Sequence, residues 1–277
     1  MADADALRGA GVPGPRSTPP SGPEAAPPPP PAAPVEITEG GPVMSLVDHL
    51  IELRSRIVRI VLAVTLGTAV GFAFATQLIK FLHDPVVRAL PAGADTRLLN
   101  LAPGDAFVIY LRVALVFGII VAMPVILYQV WAFVAPGLTS TERRIAAPWI
   151  PFALVFFALG VGIAYFVLPF ALGFLLSFGG EVFQNQLGAR QYFDFVTTMF
   201  LAFGIVMEFP IVLFGLSRVG IVTSERLKAS RRYVILGIAL FSALVTPGGD
   251  IVSPLALGGT MYILFELTTF VIRRTGK

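Results

Sequence analysis

Acidic and basic side chains share a short stretch, Asp48-His49-Leu50-Ile51-Glu52-Leu53-Arg54-Ser55-Arg56, that runs straight into a long apolar segment. Leu46, Leu50, Leu53 and Ile57 fall on one helical face, with Asp48, Glu52 and Arg56 on the charged side of the same helix. A helix of that kind lies at a water–lipid boundary. Anionic lipid and the positive-inside bias account for its arginines but not for Glu52. Pairing with Arg56 four residues on is the plainest account of Glu52, worth only a few tenths of a kcal/mol. A second carboxylate, Glu142, follows Trp131-Ala132-Phe133-Val134-Ala135-Pro136 and precedes Arg143 and Arg144. Thr139 and Glu142 also have the spacing of a capping box, so Glu142 reads equally as a helix start. Taken together, Glu52 and Glu142 put two acids on one membrane face in otherwise basic surroundings.

A third carboxylate lies inside an apolar run, at Phe203-Gly204-Ile205-Val206-Met207-Glu208-Phe209-Pro210. Glu208 is about 20 Å of helix from the outer end of that run. A carboxylate at such depth costs a few kcal/mol unless it is protonated, paired or wetted. It reads either as a functional intramembrane acid or as a protonated Glu bonded to a neighbouring helix. Pro210 is expected to free a backbone carbonyl and kink the helix there. Glu266 is expected to reach towards Arg273 and Arg274 at a membrane end.

Enzyme signatures are missing. The chain has no HExxH, no phosphate-binding Gly-rich loop, no G-x-S-x-G and no second intramembrane Asp to partner Asp250. With no cysteine there is no thiolate chemistry, no disulfide and no Cys-ligated metal. His49 and His83 fall on opposite membrane sides and do not jointly hold a haem. Catalysis, a metal and a cofactor are therefore not expected.

The elements that must position these groups are membrane helices. Of 277 residues, 56% are apolar and only 13% charged, whereas soluble domains average about 25% charged. Apolar segments occupy 57–76, 107–134, 148–172, 194–217, 233–246 and 251–272. The first four are long enough for a hydrocarbon core of roughly 30 Å. The last two are short or interrupted and are joined by Pro247-Gly248-Gly249-Asp250. They read as a short crossing hairpin that thins the bilayer, or alternatively as a buried re-entrant pair. Arginines and lysines concentrate around residues 54–59, 143–144, 218–232 and 273–277, against Lys80, Arg88, Arg97 and Arg190 on the other side. That bias puts both termini in the cytoplasm, and it explains the net charge of +3 without nucleic acid.

Residues 1–43 hold twelve of the 23 prolines, and no aromatic residue precedes Phe72. The composition reads as a disordered cytoplasmic tail, followed by a membrane domain over 44–277 whose amphipathic helix covers 45–56.

His49 through Arg54, Pro124 through Pro136, Phe203 through Pro210 and Thr246 through Asp250 together resemble the TatC family, the multispanning subunit of the twin-arginine protein translocase, over roughly Ser45 to Arg274. The resemblance implies an all-α, six-span, glove-like concave bundle in the bacterial plasma (inner) membrane, N-in and C-in. It implies Sec-independent export of folded cargo driven by the proton motive force. TatA and TatB would be single-span partner subunits, in a complex containing further copies of the chain. Glu52 and Glu142 would form the receptor for twin-arginine signal peptides, with Arg54 and Phe133 in the same motifs. Glu208 would face the concave surface, while Pro85, Asp105 and Asp250 would be structural positions on the outer side. Asp105 stands where the family more often has Glu, and Pro254 where many relatives carry Gln. Arginine's planar fork pairs bidentately with a carboxylate while lysine offers a point charge, so two acids suit an Arg-Arg pair. A proton-coupled small-solute transporter working through Glu208 is the main rival reading, and a purely structural scaffold the lesser one.

Overall fold

Leu46–Ala73 forms one unbroken helix, α1, in the computed structural model of the chain. Described are residues 46–90, 95–140, 143–144, 149–178, 186–218, 220, 222–246 and 249–274. The tail over 1–43 lies outside the described residues. The amphipathic stretch and the first span are thus a single rod. Its apolar side faces outward, with Leu50 and Ile57 exposed, while Glu52 and Arg56 are half-buried. In water that orientation would be inside out; against lipid it is what the solvent demands.

After a break at Phe74 comes α2 (Ala75–Ala89), a helix within what the sequence suggests is a plain outside loop. Leu78, Ile79, Leu82 and Val86 share its inner face, and Leu82 and Val86 are buried. Lys80, Asp84 and Arg88 interrupt that run, which is why it does not register as an apolar segment. Pro85 sits buried inside α2. The Tyr192 hydroxyl donates to the Leu82 carbonyl and fixes the helix from outside.

The remaining helices are α3 (Asp105–Val134), α4 (Trp149–Ser177), α5 (Ala189–Val206), α6 (Phe209–Arg218), α7 (Ser224–Ala229), α8 (Arg231–Val245) and α9 (Val252–Arg274). The described residues are helical throughout apart from turns, loops and one isolated bridge between Leu99 and Gly188. At the expected kink the α-helical ladder is interrupted over Met207 and Glu208, between α5 and α6. Pro210 has no N–H to offer the Val206 carbonyl. The chain tightens to compensate, with the Glu208 N–H on the Ile205 carbonyl and the Ile211 N–H on the Glu208 carbonyl, both 3.0 Å.

Among the described residues five stretches are long and apolar enough to cross a membrane: His49–Ala73, Asp105–Gly137, Trp149–Ser177, Ala189–Arg218 and Val252–Arg274. The expected fifth crossing is α8, whose 15 residues span about 22 Å. Asp250 caps α9, its carboxylate accepting from the Ser253 N–H at 2.5 Å. Pro254, in the first turn, removes an N–H that has no helical partner anyway. Glu266 departs from expectation: it pairs with Arg231 at the start of α8, 2.7 Å away. Arg273 and Arg274 lie about two turns farther along α9, while Arg231 stands beside it.

The core lies mainly between α4, α5 and α9, filled by Phe157, Leu168, Val196, Met199, Phe203, Leu257 and Phe265. α1 stands on α3 through close backbone contact. A Cβ on Gly118 would come within 2.5 Å of the Thr68 nitrogen, and one on Gly67 within 2.7 Å of the Gly118 carbonyl oxygen. Those two glycines set how α1 and α3 register.

Candidate functional site

The register set at Gly67 and Gly118 carries down both antiparallel helices. About three turns away along each, Arg56 meets Gln129, and beyond that Glu52, one turn on, and His49, two turns on, come to Phe133, one turn past Gln129. The contacts follow. Arg56 Nη1 donates to Gln129 Oε1 at 3.3 Å, and Arg56 Nε donates to Glu52 Oε1 at 3.0 Å. Arg56 Nη2 donates to that same oxygen. The His49 ring stacks on Phe133 with centroids 4.3 Å apart and 20° between planes. Glu52 Oε2 is buried and accepts no hydrogen bond among the described residues. His49 Nδ1 stands 4.0 Å from it, too far for a hydrogen bond.

Of the residues expected at this face, the structure brings together Glu52 and Phe133. Arg54 is exposed on the outer side of α1. Glu142 lies outside the described residues. Nearby, the Arg143 guanidinium stands 5.7 Å over the Trp131 ring, a cation–π distance. Sequence reasoning missed Gln129. Its signal is an amide within the otherwise apolar run Pro124-Val125-Ile126-Leu127-Tyr128-Gln129-Val130-Trp131.

At the far end of the same helices the connecting loops are tied together. Leu99 exchanges backbone bonds with Leu187 and Ala189 at 2.9 and 2.8 Å. Asp105 opens α3, its Oδ2 accepting from the Ala102 N–H at 2.9 Å and its Oδ1 standing 3.4 Å from Arg190 Nη1. Asp105, Pro85 and Asp250 are therefore each built into a helix or its start.

Polar groups also occur within the apolar runs. Arg112, inside the apolar run of α3, pairs with Asp194 of α5 at 2.6 Å. Its guanidinium also donates to the hydroxyls of Thr197 and Thr198 at 2.9 and 3.0 Å. Below this knot a groove of about 440 Å³ runs between α3 and α5, with Leu115, Ile119, Leu201 and Ile205 in its walls. Glu208 follows in the break between α5 and α6, just past Ile205 of the groove wall. It is half-buried, and its Oε1 has no hydrogen-bond partner among the described residues. The Arg112–Asp194 pair was also missed, although an arginine within a long apolar run is a signal in itself.

Fold and site together define a multispanning helical membrane protein with a charged cluster at one end of its helices and an acid in their apolar interior, one of whose oxygens has no partner among the described residues. The family model described as Sec-independent protein translocase protein (TatC) matches residues 48–259. The chain belongs to the TatC family, one of protein translocase components and not of enzymes. TatC of Carboxydothermus hydrogenoformans is 32% identical over 231 residues, covering 83% of this chain and 93% of the relative. TatC of Azotobacter chroococcum is 40% identical over 228 residues, covering 82% and 88%. A crystal structure described as the twin arginine translocase receptor TatC superposes with a TM-score of 0.72 at 34% identity. It covers 83% of this chain and 100% of that one.

Proposed function

We propose that this chain is the membrane receptor for twin-arginine signal peptides, with Glu52 and Glu142 as the acids that take the arginine pair. The observation that carries the reading is Glu52. One of its oxygens is held by Arg56, and the other is buried with no donor among the described residues. A buried carboxylate oxygen without a donor is costly, and an incoming guanidinium supplies the donor. Phe133 and His49 flank the position as a stacked pair, and Arg54 adds to the basic surroundings. The apolar part of the signal would lie along the bundle, with Glu208 as a polar contact within the membrane. The protein would sit in the bacterial inner membrane with both termini cytoplasmic, α8 making a short sixth crossing. It would work with TatA and TatB, in a complex holding further copies of itself, and draw on the proton motive force.

The test is binding of a synthetic twin-arginine signal peptide to the purified chain in lipid nanodiscs. Losing one partner of a desolvated charge pair costs about 2–5 kcal/mol. Glu52→Gln and Glu142→Gln each weaken binding on this reading, while leaving membrane insertion intact. Unchanged binding in the double Gln variant sinks the assignment. The proton-coupled transporter reading rests on Glu208, the acid within the apolar run, whose Oε1 has no partner among the described residues. It requires saturable solute flux by the chain reconstituted alone, where a receptor transports nothing.

A further inference from the structure

We propose that Gln129 is a positioning residue that keeps one oxygen of Glu52 open for an incoming guanidinium, and so sets the preference for arginine over lysine. This rests on the receptor reading above and adds to it how the site discriminates.

An arginine beside a carboxylate ordinarily lays two N–H groups on its two oxygens. Arg56 does not. Its Nε and Nη2 both converge on Glu52 Oε1, and its Nη1 reaches across to Gln129 Oε1 on α3. Gln129 is only 7% exposed. A buried amide oxygen needs a donor, so it holds the Arg56 fork turned towards α3. With one edge of the guanidinium tied to α3, the fork cannot swing to straddle both oxygens of Glu52. Oε2 is left buried without a hydrogen bond among the described residues.

Two features favour a guanidinium at that oxygen over an ammonium. The His49–Phe133 stack offers a flat ring pair beside Glu52, and a planar, weakly hydrated guanidinium packs against such a surface. An ammonium is a compact ion that gives up more hydration to enter. Without the Gln129 strut, Arg56 satisfies both oxygens itself. An arriving arginine then meets a neutralised acid and is left with the general basic surroundings, where it does no better than lysine. Gln129 touches no cargo on this account; it acts through Arg56.

The experiment measures affinities of two synthetic signal peptides, one with Arg-Arg and one with Lys-Lys, for the full chain in nanodiscs. Gln129→Leu removes the acceptor and lowers the Arg-Arg affinity by about tenfold, the scale of one charge-assisted hydrogen bond, with little change for Lys-Lys. Gln129→Glu keeps an acceptor of the same length and preserves the preference. Gln129→Asn, too short to reach Arg56, loses it as Leu does, and serves should the Leu variant not insert. In an Arg56→Leu background, Gln129→Leu has no further effect on the Arg-Arg to Lys-Lys ratio. An unchanged ratio in Gln129→Leu and Gln129→Asn overturns the proposal alone, as do equal losses in Leu and Glu or additivity with Arg56→Leu. A wild-type chain with no preference for Arg-Arg overturns the receptor reading and this proposal with it.

Discussion

Arg112 brings a full positive charge into the apolar run of α3 and spends every edge of its guanidinium on α5: Asp194, Thr197 and Thr198. An arginine left without its carboxylate inside an apolar run is costly, less so near a membrane end than at the bilayer centre. Asp194→Leu therefore lowers the melting temperature of the purified protein. Adding Arg112→Leu to it restores part of the loss, because no charge is then stranded. A double variant less stable than Asp194→Leu alone contradicts this. Glu208 poses the opposite case, an acid with an unpaired oxygen. As a polar contact it is served by any hydrogen-bonding side chain, so Glu208→Gln keeps much of the export activity while Glu208→Ala loses more. A proton relay predicts equal loss in both, measured at matched protein levels. The charged motifs themselves were legible in the sequence, since acids in basic or apolar surroundings stand out one by one. Gln129, Asp194 and the true partner of Glu266 were not. Each acquires its meaning from a residue on another helix, and linear spacing says nothing about that.

Between α1 and α3 the deciding residues carry no chemistry. Gly67 and Gly118 let the two backbones approach until a single Cβ would meet backbone atoms at 2.5–2.7 Å. Small residues at a helix crossing are a common device in membranes, where no hydrophobic force draws helices together. The Arg56–Gln129 and His49–Phe133 contacts depend on that register about three to five turns away. Gly118→Leu must push α1 off or slide it along α3. The expected outcome is weaker signal-peptide binding at normal membrane levels, with a cysteine pair at Arg56 and Gln129 no longer crosslinking. A Gly118→Leu protein that still crosslinks and binds normally shows that the register is held elsewhere. At this scale the sequence was readable where a run was apolar and long. It was misleading at α2, whose charges hid the spacing of Leu78, Leu82 and Val86. At the junction of α5 and α6, Pro210 pointed to the interruption over Met207 and Glu208.

The whole chain shows its outward apolar faces plainly, with Leu50, Val61, Leu66, Phe166, Phe170 and Leu244 all exposed, and those faces fit hydrocarbon. Residues 1–43, judged on composition, add neither a core nor an anchor. A version starting at Met44 is expected to insert and export normally, and loss of export at normal expression would give the tail a role. The orientation of the membrane domain and the nature of the α8–α9 hairpin are open to one further test. α8 covers about 22 Å against a hydrocarbon core of roughly 30 Å, so a crossing there needs local thinning, whereas a re-entrant hairpin needs none. The chain has no cysteine of its own, so single cysteines report cleanly. Asp95 and Ile251 are exposed beyond the ends of α2 and α8, and Ser230 is exposed at the start of α8. With both termini cytoplasmic and α8 crossing, Asp95→Cys and Ile251→Cys react with an impermeant maleimide on intact spheroplasts. Ser230→Cys reacts only after the membrane is opened. A re-entrant hairpin leaves Ile251→Cys unlabelled from outside while Asp95→Cys still reacts. The reverse orientation labels Ser230→Cys first, and would overturn the reading of the arginine bias on which the placing of Glu52 rests.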